Sequence, residues 1–217
     1  VIVPLGTGYN WEYQFKDFAD YKDEDFGYIE NDNKFQPFSN FKDKKIIIIS
    51  NHIFAKVILS YKKDFDSKKS LKNERWDKCY CDIKKELNCN TLGIIVDESH
   101  SFKNIDAIKT KALLLTKEMF DYRFCLTATP NINRFEHIYP QIKFVDNSVI
   151  PMTEKAFRLE IASSIGNRFD RYGINAYNTK KVSEFRNKFQ DVMIQVMKED
   201  IPEFKVRKHV KPVHNKL

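Results

Sequence analysis

The sequence has no apolar run approaching the roughly 18 to 20 residues that a membrane span needs, and no basic-then-apolar leader opens it. Membrane insertion is therefore not expected, and a soluble intracellular protein is. Cysteine is scarce, with four residues at Cys79, Cys81, Cys89 and Cys125. The first three stand at C-x-C-x7-C spacing with no histidine nearby, which is not the paired C-x-x-C of a structural zinc site, so reduced thiols are expected. Repeats and low-complexity tracts are missing too. So is the phosphate-cradling loop G-x-x-x-x-G-K-[ST]: Gly6-Thr7-Gly8 runs into Tyr9, and no lysine follows to reach a nucleotide's β- and γ-phosphates. The chain opens on strand-like VIVP, which reads as the inside of a domain and predicts an excised piece.

What is present is enough for a folded core. Over 217 residues, 42% are hydrophobic, which allows one good core and a small appended lobe. The balance of 37 basic against 30 acidic residues gives a formal charge of +7, which favours polyanionic partners without identifying one.

Four short runs read as buried parallel strands whose C-terminal ends lead into polar or small residues: VIV at 1–3, IIII at 46–49, LGIIV at 92–96 and FCL at 124–126. Helical patterns lie between them. Trp11, Phe15 and Phe18 form one apolar stripe, and a second helix is expected from Asp106, as its cap, to Phe120, with Ile108, Leu113, Leu115 and Met119 inward. This alternation predicts a three-layer α/β domain. Residues 20–44 and 62–90, charged and rich in aromatics or asparagine, read as surface insertions, with the aromatics of FGYIENDNKFQPFSNF pinning the first one down. After Pro151 two helices are expected, MTEKAFRLEIASS and KKVSEFRNKFQDVMIQVMKEDI, then a basic extended stretch, Lys205 to Lys211, that reads as a solvated linker.

Residues 94–104, IIVDESHSFKN, end an apolar strand in two adjacent acids. Parallel sheets bind ligands above the C-terminal ends of their strands, so Asp97 and Glu98 are placed where a nucleotide's phosphates and magnesium would sit. One carboxylate can serve the metal while the other polarises a water for in-line attack. Taken alone, the pair is equally a solvated strand end. A second strand, RFCLTATP at 123–130, ends on Thr127 and Thr129, whose hydroxyls can bond those acids or His100; a plain turn stopped by Pro130 would also explain them.

VDESH with FKN behind it, then LTATP in the next strand, resembles motifs II and III of superfamily 2 helicases and translocases, and most of all the Swi/Snf-like branch, through Asp97, Glu98, His100, Lys103 and Asn104. VIVPLGTGYNWEYQF is similar to motif Ia of that branch and IIIISNHIF to motif Ib; Asn131 and Asn133 sit where that branch has a Gln-Asn pair. The resemblance implies a RecA-like (P-loop NTPase) lobe with a parallel central sheet over 1–150, and over 151–217 the helical end of that lobe with the start of a linker to a second one.

It also implies roles. Asp97 and Glu98 would hold Mg²⁺ and hydrolyse ATP, Glu98 as the base; His100, Thr127 and Thr129 would couple nucleotide state to nucleic-acid binding. Pro4, Leu5 and Gly6, with Ser50 and Asn51, would touch the DNA backbone, double-stranded in preference to single-stranded. The implied activity is an ATP-dependent DNA translocase or helicase, of which this piece lacks the phosphate loop and second lobe and is expected to be inactive alone. Serine at 99 and alanine at 128 depart from the commonest residues of the remodelling enzymes. Two alternatives stand beside it: the motor subunit of a restriction or repair nuclease complex, and a non-catalytic module that keeps the fold for docking. Abundant Lys, Asn and Ile fit an AT-rich genome, with the protein in the cytoplasm at the nucleoid or, if viral, in the virion or host cytoplasm.

Overall fold

In the computed structural model the described residues are 1–29, 36–61, 82–130, 134–165 and 174–196. Five strands form a parallel sheet: β1 (Ile2–Val3), β2 (Phe26–Ile29), β3 (Ile46–Ser50), β4 (Gly93–Val96) and β5 (Tyr122–Cys125), in the order β2-β3-β1-β4-β5. Side chains alternate between the faces, so both must be covered. One face sets Ile2, Ile29, Ile49, Ile94 and Val96 against α2 (Asn51–Ser60) and α4 (Ile108–Thr116) in the largest apolar cluster. The other sets Val3, Phe26, Ile46 and Ile48 against Trp11 and Phe15 of α1 (Gly8–Ala19). This is the expected three-layer arrangement.

The route of the chain obeys one handedness. From β1 to β2 it moves toward one edge of the sheet and crosses by α1; from β3 to β4 and from β4 to β5 it moves the other way and crosses by α2 and α4, on the opposite face. Neighbouring β1 and β4 therefore send their chains to opposite faces, and such a divergence opens a crevice above the strand ends.

Several expectations are corrected. The span 20–44 is not only a surface insertion: it supplies β2, which pairs with β3 from Phe26↔Ile46 to Ile29↔Ile49, and it buries Phe26 and Phe38. Its strand was missed because FGYI is short and follows four charged residues within five. At the end of the 62–90 span, α3 (Ile83–Leu87) plugs Ile83 into the main core; residues 62–81, with Cys79 and Cys81, lie outside the described residues. Phe18 is 77% exposed, in the last turn of α1 before the left-handed residue Asp20. Asp106 does not cap α4. Ala107 is the cap residue, and the Asn104 side chain instead accepts the Asp106 amide at 2.9 Å. The last strand runs over 122–125, because Arg123 anchors its start by donating to the carbonyls of Val145, Lys117 and Phe120.

Beyond β5 a second apolar cluster joins α5 (Tyr139–Val145), α6 (Glu154–Ile161) and α7 (Thr179–Phe189) around Phe157 and Phe189. Residues from both sides of position 150 share it, Phe135, Ile138 and Ile142 with Phe157 and Phe185. The two expected helices are shorter than read. The first stops at Ile161 and the chain turns into β6 (Ala162–Ile165), held antiparallel to β7 (Ile174–Tyr177); the second stops at Phe189. The basic run from Lys205 lies outside the described residues.

Among the described residues β5 bonds only to β4, and its outward face carries Tyr122 (60% exposed) and Phe124 (54%), continued by Leu126 (43%). No described helix is long and apolar enough to cross a membrane. Phe157, with no exposed surface at the centre of its cluster, should cost about 3–5 kcal/mol when cut to alanine, whereas Phe18→Ala should change unfolding free energy by less than about 0.5 kcal/mol; denaturant titration of both variants measures the contrast.

Candidate functional site

Parallel pairing puts the C-terminal ends of β1, β3, β4 and β5 along one edge. Val3 is level with Ser50, Ile2 with Val96, and Val96 with Cys125, so the turns after all four strands sit side by side. Two backbone bonds lock them. The Asp97 amide donates to Ile2 O at 2.8 Å, and the Ser99 amide donates to Leu126 O at 2.9 Å.

The acids lie just beyond the strand, which ends at Val96, and diverge because the backbone turns sharply at Glu98, whose φ of 45° and ψ of 48° are left-handed. A side chain in that region costs free energy, and such outliers gather where geometry serves a site. Asp97 is held at both oxygens: Oδ1 accepts the Glu98 amide at 2.8 Å and Oδ2 accepts the Trp11 indole N–H at 2.9 Å. Glu98 instead swings toward His100, whose Nδ1 lies 3.0 Å from Glu98 Oε2 and also 3.0 Å from Thr127 Oγ1. A single ring N–H facing both oxygens fits this arrangement. Thr127 Oγ1 also accepts the Thr129 amide at 3.2 Å, so Thr129 joins through its backbone. The acids on β4 and the threonines on β5 are thus one hydrogen-bonded constellation.

Behind it lies a buried polar layer. Ser99, fully buried, donates to Gln141 Oε1 at 2.7 Å, and Gln141 Nε2 donates to Pro130 O at 2.7 Å and His137 O at 3.3 Å. Burial pushes the neighbouring Cys125 thiol up to about 12, with a smaller opposing effect from its hydrogen bond with Ser99. Neither Gln141 nor the bond from Trp11 was expected. The signal for Gln141 is a glutamine within the mostly apolar run IYPQIKFV, whose other polar chain is Lys143; Trp11 stands in the sequence as an apolar stripe position and a motif residue.

The other half of the edge holds the expected nucleic-acid contacts. Leu5 is 74% exposed, and Gly6 takes a left-handed φ of 84° with nothing within 4 Å of where a Cβ would stand, so the loop after Pro4 projects freely. Ser50 is mostly buried at the start of α2, with its hydroxyl 3.3 Å from His52 Nδ1. Asn51 reaches back 3.5 Å to Ser101, on the turn that carries His100. Lys103 and Asn104 end that same turn. Asn131 and Asn133 lie outside the described residues.

No group of three or more His, Cys, Asp or Glu side chains is placed to hold a metal among the described residues. Two carboxylates without a cage suit Mg²⁺, which keeps its waters and takes its remaining ligands from phosphate.

Comparison with known proteins agrees with this geometry. The family described as "SNF2-related domain" matches residues 1–215. A solved structure, the Sulfolobus solfataricus SWI2/SNF2 ATPase core in complex with dsDNA, superposes with a TM-score of 0.53 at 19% identity over 88% of this chain and 31% of that one, and so shares the fold of its RecA-like lobe. The DNA repair protein RAD5 of Candida glabrata is 42% identical over 52 residues, 24% of this chain and 4% of that protein. The chain thus spans under a third of the length of either relative.

Trp11→Phe, which keeps the ring packing and removes the donor to Asp97, should lower unfolding free energy by about 1.5–3 kcal/mol, read by urea denaturation. Cys125, half-buried and held protonated, should react with a thiol reagent at pH 8 more slowly in the native chain than after unfolding; with the other three cysteines changed to serine, thiol labelling tests this directly.

Proposed function

Since this chain belongs to the SNF2-related domain family, we propose that it is the first RecA-like lobe of an ATP-driven motor on double-stranded DNA. The observation that carries this reading is His100 joining Glu98 of one strand end to Thr127 of the next. Asp97 would hold the magnesium of bound ATP through water, and that ion would neutralise phosphate charge. Glu98 receives the proton of the attacking water. When the γ-phosphate leaves, Glu98 loses the water it orients and His100 redistributes its N–H between Glu98 and Thr127. The change passes along the edge through Asn51 and Ser101 toward the loop at Pro4, Leu5 and Gly6 and the Ser50–Asn51 turn, which contact the DNA backbone without reading bases. A second RecA-like lobe closes the cleft.

The phosphate loop itself belongs, in this proposal, to a strand and helix preceding Val1. The open side of β5 supports that placement. A strand added there and connected to β1 travels in the same direction as the β1-to-β2 crossover, so handedness puts its helix on the α1 face, over Tyr122, Phe124 and Leu126. Its N-terminus would then face the acids, where a phosphate-binding helix is useful. The intact acids beside it favour a motor over a docking module, which has no need of them.

A polypeptide extended upstream through a G-x-x-x-x-G-K-[ST] loop and downstream through the second lobe should show ATPase activity stimulated by double-stranded DNA. Glu98→Gln in that polypeptide should lower turnover by about 10²–10⁴-fold while nucleotide binding, followed with a fluorescent ATP analogue, stays within about twofold. Normal turnover in the variant would remove Glu98 from the chemistry.

A further inference from the structure

Ser99 poses a problem that its neighbours solve. A hydroxyl with no exposed surface needs a partner, and the apolar helix α5 presents one glutamine to it. Gln141 is itself 5% exposed, and its amide is engaged at both ends: Oε1 accepts from Ser99, and the two N–H groups serve Pro130 O and His137 O. Two of these three bonds run to the site. Ser99 immediately follows Glu98, and Pro130 immediately follows Thr129. The threonine turn is therefore gripped at both ends, at Leu126 by the Ser99 amide and at Pro130 by Gln141.

We infer that Gln141 is a positioning residue, a buried bridge that fixes the acid turn against the threonine turn so that the contact of His100 with Glu98 and Thr127 survives as one unit. The inference rests on the reading of those residues as a nucleotide-responsive site. Three features favour a bridge over an ordinary core polar residue. Both donors and the carbonyl oxygen of the side chain are in use, its partners include both turns, and the link runs through a serine hydroxyl that could be removed without altering the path of the backbone. An apolar pair at 99 and 141 would fill the same space and leave Pro130 O unheld. The bridge thus exchanges a dry contact for one with a defined length and direction.

Amide hydrogen exchange of the 217-residue chain, read by NMR, tests the link without nucleotide. Gln141→Met should speed exchange at the Ser99 and Thr129 amides at least tenfold, with the β3 amides unchanged. Ser99→Ala, which touches neither end of the threonine turn through a side chain, should also speed Thr129 exchange. The double variant, in which the Ser99 hydroxyl and the Gln141 amide are both gone, should exchange no faster at Thr129 than Gln141→Met alone. Additive effects, a silent Thr129 in Ser99→Ala, or equal acceleration at every amide would each overturn the bridge. In the extended two-lobe polypeptide, Gln141→Met should lower kcat for ATP about tenfold with KM within twofold, and an unchanged kcat would likewise overturn the positioning role. The Glu98→Gln variant serves as the control: its retaining full turnover would sink the motor reading while leaving the exchange results to judge the bridge.

Discussion

The pairing of β4 with β5 is the constraint from which the site follows. With Val96 level with Cys125, the acid turn and the threonine turn emerge at the same height, close enough for the Ser99 amide to reach Leu126 O and for one imidazole to span Glu98 and Thr127. A slip of one residue would turn Tyr122, Phe124 and Leu126 into the main core and expose Arg123 and Cys125 on the other side. Arg123 opposes that slip. Its guanidinium is tied to three carbonyls on the α4–α5 side, and a charged group so engaged cannot change faces without losing all three bonds.

The sequence was most legible where chemistry and strand pattern coincided. IIVDESH and LTATP announced a strand, a turn and polar groups in the right order, and the parallel sheet brings them together. The runs at Ile46–Ser50 and Gly93–Val96 were plain because β-branched residues stand in sequence. FGYI was not, since a four-residue edge strand beside charged turns has too short a period to detect, and its membership of the sheet is decided by β3 and not by its own composition. The hairpin of β6 and β7 was hidden for the opposite reason: α6 supplies a clear helical stripe, and nothing local tells where the stripe gives way to pairing.

Contacts that cross between elements were the least legible part. Trp11 carries a stripe position that fits a core role, and it does pack against Phe15, yet its N–H is spent on Asp97, which is 86 residues away in sequence. Gln141 is 42 residues from Ser99. Helical periodicity records which face a residue occupies and is blind to which distant polar group that face meets. Serine at 99 looked like a departure from a family pattern, and its explanation lay in a helix from which no pattern was expected.

The distribution of polar and apolar matter along the sheet edge has its own logic. Toward β1 and β3 the loop after Pro4 is exposed, and the start of α2 reaches the acid turn through one long contact, Asn51 to Ser101 at 3.5 Å. Toward β4 and β5 the contacts are short, charged and backed by a dry layer in which Ser99 and Gln141 are buried and mutually satisfied. A buried polar network is costly when any member goes unpaired, so it has few alternative arrangements. Loose contacts on one side and a stiff network on the other divide the edge into a part that can adapt to a varied surface and a part that must hold angles fixed. In the proposed function a backbone-tracking contact would use the first and a proton-transferring carboxylate the second, with the boundary at the crevice where β1 and β4 part.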